Sequence, residues 1–204
     1  MLLSHLRDVP LNNHAAYLKK LECFKLETAL NSTPDVAPPK LDYVNNKVAV
    51  WKIELLNNKT AFMRCDFFPS DDDYYVVQVD AQKFYYLWLL SALFVNTTHR
   101  SNNCVLRKDM PNDYKFDRAV EGFSKGSHSP VPLAQVSACY VNGRPYIGFS
   151  NGVTRTMWLI YNGAKSFPVG VHKRTSAKYL HEFAGIGEFP LSCEEIKKLK
   201  SPNH

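Results

Sequence analysis

PVPLAQVSACYVNGRPYIGFSNGVTRTMWLIYNGAKSFPVGV, residues 130–171, reads as one continuous supersecondary unit. Val131–Tyr140 has the apolar spacing of a strand. Asn142-Gly143 then makes a two-residue hairpin turn, because both residue types accept positive φ. Pro145–Phe149 is the return strand, and Ser150-Asn151-Gly152 ends it and opens a helix. Ser150 or Asn151 is expected to cap the free amides of that helix. Met157, Trp158, Ile160 and Tyr161 are its apolar positions, and Gly163 stands where a left-handed C-terminal cap is needed. Phe167–Val171 returns to the sheet as a third strand.

The turn at Gly152 admits two readings. Amides at a helix N-terminus favour an anion, glycine lets a phosphate approach the backbone, and Arg155 one turn later could add a charge-assisted hydrogen bond. Equally, a glycine at a strand end can be a plain turn and an arginine in a first turn a solvated one.

The order strand, Asn151-Gly152-Val153-Thr154-Arg155, helix, Gly163-Ala164-Lys165-Ser166-Phe167-Pro168-Val169 resembles the ParB/sulfiredoxin superfamily. Upstream, Lys108-Asp109-Met110-Pro111-Asn112-Asp113-Tyr114-Lys115-Phe116, Phe123 and Pro130-Val131-Pro132-Leu133-Ala134 are similar to the plasmid fertility-inhibition factors of the Osa and FipA type. Those proteins block transfer of a co-resident conjugative plasmid. The resemblance covers Leu106–Val171, while the size and the N-terminal half are most similar to the FipA type.

The departures narrow what the resemblance implies. Sulfiredoxins carry a catalytic cysteine and a histidine between the glycine and the arginine, where this chain has Val153 and Thr154. Valine is no nucleophile, so sulfinic-acid repair is excluded here. ParB-type nucleotide sites use two consecutive basic residues, and only Arg155 remains. The resemblance therefore implies a degenerate phosphate or nucleotide site of Asn151, Gly152, Thr154, Arg155 and Lys108. Arg155, Asp109 and Asp113 are the candidates for any residual catalysis.

Composition sets the outer bounds. The chain has 204 residues, 45% hydrophobic and 13% aromatic, enough for a substantial core. Its net charge of +6 permits contact with nucleic acid or an acidic protein surface without requiring either. Cys23, Cys65, Cys104, Cys139 and Cys193 are scattered singly, with no zinc-ligand spacing. An odd count and a start, Met-Leu-Leu-Ser-His-Leu-Arg, unlike a secretory leader predict reduced thiols in a cytoplasm. No metal is expected.

Asn13 should cap a helix to about Leu30, with Ala15, Leu18, Leu21 and Leu26 near one packed stripe. Asn31–Lys40, with Pro34, Pro38 and Pro39, reads as a linker or an extended surface loop. Val48–Leu55 and Thr60–Phe68 form a hairpin through Asn57-Asn58. Asp71-Asp72-Asp73 could suggest a metal, but adjacent turn residues diverge, and a solvated loop is the expectation. After β-prone Tyr74–Val79, Ala81–Val95 reads as a helix apolar nearly all round, too short for a membrane span and therefore buried. His99 and Arg100 fall in a polar loop.

Arg107, Lys108 and Lys115 could approach the Gly152 turn, and Asp109 and Asp113 could form a carboxylate pair or simply cap turns. A short helix is expected over Asp117–Phe123. Thr175 should cap a helix to about Ala184. Ser192-Cys193-Glu194-Glu195 is a capping box opening a last helix that ends in Lys197-Lys198-Leu199-Lys200.

These readings predict an α+β protein: a small mixed sheet with surrounding helices, ParB/sulfiredoxin-like in its second half. Residues 1–204 form one unit, 1–105 being a helix–hairpin–helix extension and 106–204 the core with C-terminal helices. Three functions follow. First, the resemblance implies a fertility inhibitor that binds another plasmid's transfer machinery, the hexameric coupling ATPase above all, from the cytoplasmic face of the inner membrane. Tyr114, Arg118, Arg144 and Tyr146 are its candidate contacts, and no cofactor is needed. Second, a ParB-like nuclease or nucleotide hydrolase would use the Gly152 turn and bind a nucleotide. Third, a DNA-binding adaptor without catalysis would use the basic excess for weak nucleic-acid contact.

Overall fold

The computed structural model of the protein describes residues 13–31, 36–68, 73–94 and 104–199. Pro34, Asp71, Asp72, His99, Arg100, Lys200 and the N-terminal Met-Leu-Leu-Ser-His-Leu-Arg segment lie outside those residues. The elements run α1 (His14–Leu30), β1 (Lys40–Val44), β2 (Val48–Glu54), β3 (Thr60–Asp66), β4 (Tyr74–Asp80) and α2 (Ala81–Phe94). Then follow α3 (Phe116–Ser124), β5 (Val131–Pro132), β6 (Ala134–Val141), β7 (Arg144–Asn151), α4 (Val153–Tyr161), β8 (Ser166–His172), α5 (Arg174–Ala184), β9 (Leu191–Ser192) and α6 (Cys193–Lys197). They build two mixed sheets, ordered β1-β2-β3-β5 and β7-β6-β8-β4-β9. The class is α+β. β4, from the part expected as an extension, lies inside the second sheet between β8 and β9.

Both hairpins form where their turn chemistry demands. Asn57 and Asn58 take φ of 58° and 57°, and Asn142 and Gly143 take 51° and 73°. These left-handed values match the twist of the flanking strands. Gly163 ends α4 at φ 72°. Its amide donates to the Ile160 carbonyl at 3.2 Å and that of Ala164 to Leu159 at 3.0 Å, the double closure of a glycine-capped C-terminus.

The core forms around α2. Phe84, Tyr85, Tyr86, Leu87, Trp88, Leu89 and Leu90 are all buried. The Phe84 ring meets Phe149 and Phe167 edge-on at 5.9 and 5.5 Å, and Trp88 lies 4.6 Å from Phe149. These contacts fasten the helix to β7 and β8. Ser91 adds a polar tie: its hydroxyl donates to the Leu87 carbonyl at 2.7 Å and accepts from the Ile147 amide at 2.9 Å. Among the described residues no helix is long and apolar enough to cross a membrane.

Several expectations need correction. Val131–Tyr140 is not one strand. β5 pairs in parallel with β3 of the first sheet, whereas β6 pairs with β7 and β8 of the second. The chain changes sheet at Leu133, whose amide donates to the Arg64 carbonyl at 2.9 Å. Neither Ser150 nor Asn151 caps α4. Asn151 is still paired with Gln135, and the Ser150 hydroxyl reaches the Gln135 carbonyl, so Gly152 takes the cap position at φ 90°.

α5 begins at Arg174, one residue before Thr175. Asp73 receives the Lys173 amide on its carbonyl and the Arg174 amide on its carboxylate, doing the capping that Thr175 was expected to do. On α1, Ala15 and Leu21 are exposed, while Cys23, Leu26 and Glu27 face the core. Asn13 does cap that helix, accepting from the Ala16 amide at 2.9 Å.

Candidate functional site

The change of sheet at Leu133 makes the site. β5 and the start of β6 form one wall, the Gly152 turn packs against it, and α3 closes the far side. Gly152 is required twice over. Its φ is left-handed, and an added Cβ would lie 2.6 Å from the Ala134 Cα, where no side chain fits.

Two arginines clamp the crossing. Arg64 Nη1 donates to the Pro130 carbonyl at 2.7 Å, and its Nε pairs with Asp66 at 2.9 Å. Arg155 Nη1 donates to the carbonyls of Pro132 and Leu133 at 2.8 and 3.0 Å. Burial pushes the Arg155 pKa below the ordinary guanidinium value; Tyr74 opposes that shift and Arg64 adds to it.

Between these walls opens a cleft of about 400 Å³. It gathers Asn151, Gly152, Thr154 and Arg155 from the turn with Tyr114 and Arg118 from the approach to α3 and its first turns. Two groups of candidates, one expected to hold phosphate and one to touch a partner, thus share one cleft. Tyr114 is 73% exposed, with the Lys115 ammonium 5.1 Å from its ring centroid. Lys115 also lines the cleft, whereas Lys108, Asp109 and Asp113 do not.

Asp113 has a different place. Its Oδ1 accepts from the Thr154 hydroxyl at 3.0 Å and from the Lys115 amide at 2.9 Å. A carboxylate thereby sits beside the first turn of α4, where the helix dipole favours negative charge. Lys108 and Asp109 belong to a 3-10 turn over Arg107–Asn112. Arg144 and Tyr146 lie away from the cleft on β7. The Arg144 guanidinium is 5.7 Å from the Phe94 ring, and Tyr146 stands opposite Cys139, its phenol pKa raised by burial.

The cleft carries cations and hydroxyl or amide donors. Among the described residues no group of histidine, cysteine and carboxylate side chains is placed to hold a metal. The five cysteines are thiols; burial pushes Cys23 up to about 12 and Cys104 well above the ordinary value. Arg64 is a site residue that the sequence does not mark. It sits on β3, 66 positions before the carbonyl it holds, and nothing near it in sequence marks that role.

Residues 76–185 match the family described as plasmid fertility inhibition factor. The chain is 34% identical over 149 residues to the Osa protein of Shigella flexneri, covering 73% of this chain and 75% of that protein. The chain belongs to the plasmid fertility inhibition factor family. The fold of this family member agrees with that of a solved relative. It matches the crystal structure of an oncogenic suppression activity protein, itself described as a plasmid fertility inhibition factor and solved as a gold(I) cyanide derivative. The TM-score is 0.76 at 29% identity, over 90% of this chain and 93% of that one. The matched family region contains α2, α3, the crossing at Leu133 and the whole cleft.

Proposed function

We propose that this fertility inhibition factor blocks conjugation by binding the transfer machinery of a co-resident plasmid, with the hexameric coupling ATPase as its target. The docking face in this reading is the Tyr114–Arg118 side of the cleft. One observation carries it: the exposed Tyr114 ring, Lys115 and Arg118 stand together at the mouth of a cleft whose interior groups are already engaged. The Thr154 hydroxyl is taken by Asp113, and Arg155 holds two backbone carbonyls. Exposed tyrosine and arginine on a rigid frame are the residues that anchor protein interfaces.

A second reading rests on Gly152. No side chain caps α4 there, so its first amides, with Lys115 and Arg118 beside them, suit a phosphate of a nucleotide or a DNA strand.

Conjugation from a donor carrying a mobilisable plasmid of an unrelated incompatibility group separates the two. The wild type is compared with Tyr114→Ala/Arg118→Glu and with Arg155→Ala/Asp109→Ala. Thermal melting checks every variant, because losing Arg155 opens two backbone hydrogen bonds. Under the docking reading only the Tyr114/Arg118 variant loses inhibition, together with capture of the purified coupling ATPase. If the Tyr114/Arg118 variant loses inhibition yet still captures the coupling ATPase, the phosphate reading, which also uses Arg118, replaces docking.

A further inference from the structure

At the opposite, C-terminal end of α4 lies a second and larger cavity, of about 750 Å³. That is within the range of pockets that take a specific ligand. Asp80, Ala81, Ile160, Ala164 and Ser166 form its buried floor. Lys40, Lys52, Lys165 and Arg107 stand around it, with Glu54 the exposed carboxylate among them.

Lys40 and Lys52 are directly opposite one another across the β1–β2 ladder. Like charges in that position destabilise a sheet. Among the described residues none of the four cations forms an ion pair with a carboxylate. Arg107 is steadied instead by the Tyr85 ring, 5.7 Å away. Four unpaired cations around one cavity leave a positive potential that an anionic occupant would neutralise.

The rest of the lining identifies the occupant. Phosphate sites commonly use free backbone amides, and those at the start of α2 are taken. Asp80 Oδ1 accepts from the Gln82 and Lys83 amides at 2.8 and 2.9 Å, and the Ala81 amide donates to the Lys165 carbonyl at 3.0 Å. A carboxylate on the floor opposes a compact phosphate but accepts N–H donors, which a peptide backbone supplies. Two of the cations come from the β1–β2 hairpin and two from segments flanking α3 and β8. Successive side chains of an extended peptide point to opposite sides, so its acidic residues can reach cations arriving from two sides.

We propose that this cavity is a docking site for an extended acidic segment of a partner protein, separate from the cleft at Gly152. The test is fluorescence anisotropy of the full chain with a labelled octapeptide of two Glu-Glu-Val-Val repeats, which places glutamates on both sides of an extended backbone. The same peptide with glutamine for glutamate serves as comparison. The wild type should bind the glutamate peptide at least tenfold more tightly than the glutamine one, and more weakly as salt rises. Lys52→Glu/Lys165→Glu should reduce binding at least tenfold. Lys25→Glu/Lys178→Glu, exposed lysines away from the cavity with the same change in net charge, should bind as the wild type does.

Equal losses in both double variants would mean attraction to net charge alone and overturn the proposal. So would absence of binding. Displacement of the peptide by inorganic tripolyphosphate bound tightly at the same lysines would show a phosphate site instead, and overturn it too.

Discussion

The Thr154 hydroxyl donates to the Asp113 carboxylate at 3.0 Å, so the first turn of α4 faces a negative charge from within the protein. That charge complements the helix dipole and also repels any phosphate entering the cleft. Asp113→Asn keeps an acceptor and removes the charge. It should lower stability by about 0.3–1 kcal/mol and raise phosphate affinity several-fold. Thermal melts across a phosphate titration read both, because a ligand bound only to the folded state raises the melting temperature with its concentration. If Asp113→Asn gains no phosphate-dependent shift, the Gly152 turn is not an anion site.

Gly152 and Gly143 both have positive φ but differ in what surrounds them. A Cβ at Gly152 meets Ala134 at 2.6 Å, whereas nothing lies within 4 Å of a Cβ at Gly143. Gly143→Ala should therefore show only the backbone penalty, roughly 1–2 kcal/mol. Gly152→Ala carries a comparable penalty and must also push the turn off β6, so its loss should exceed that of Gly143→Ala by at least about 1 kcal/mol. Urea unfolding of the two variants side by side measures the difference.

Features set by local chemistry were legible in the sequence. The hairpin asparagines, Gly163, the Asn13 cap, the buried α2 and the Ser192/Glu195 capping box, where Ser192 accepts from the Glu195 amide, all depend on residues a few positions apart. What depends on distant partners was not legible. The break at Leu133 is imposed by the Arg64 carbonyl and by the Arg155 guanidinium, neither adjacent in sequence. Thr175 lost its capping role to Asp73, 101 positions earlier than Arg174. The candidate partner contacts Tyr114 and Arg118 and the candidate phosphate ligands Asn151, Gly152, Thr154 and Arg155 are far apart in sequence, and only packing of α3 beside α4 brings them into one cleft, which leaves out Lys108. On α1 the apolar residues are spread around the helix, so periodicity alone did not distinguish Leu21, exposed, from Leu26, buried.

Ser91 is a buried polar residue in the last turn of an apolar helix, and its hydroxyl bridges α2 to β7. Ser91→Ala fills the space with a smaller apolar group and leaves the buried Ile147 amide without its acceptor. The expected cost is about 1–3 kcal/mol, the usual penalty for a stranded buried donor. Hydrogen exchange should show the Ile147 amide losing protection more than its β7 neighbours. A uniform loss along β7 would mean that Ser91 contributes through helix packing rather than through this hydrogen bond.

Glu27 is 2% exposed on the inner face of α1, and neither carboxylate oxygen has a hydrogen-bond partner among the described residues. Burial raises its pKa, so the folded state binds the proton more tightly than the unfolded chain. The sign follows from linkage. The stability that protonated Glu27 allows is fully present below the unfolded value, about pH 4.3, and is lost as pH rises through the raised folded value. Glu27→Met keeps the volume and removes the charge. It should stabilise the protein by roughly 1–3 kcal/mol at neutral pH, and the gain should shrink as the pH falls toward 4. Denaturant unfolding of wild type and variant between pH 4 and 8 measures this. A constant difference across that range would show that Glu27 stays ionised in the fold and that the effect of the substitution is one of packing.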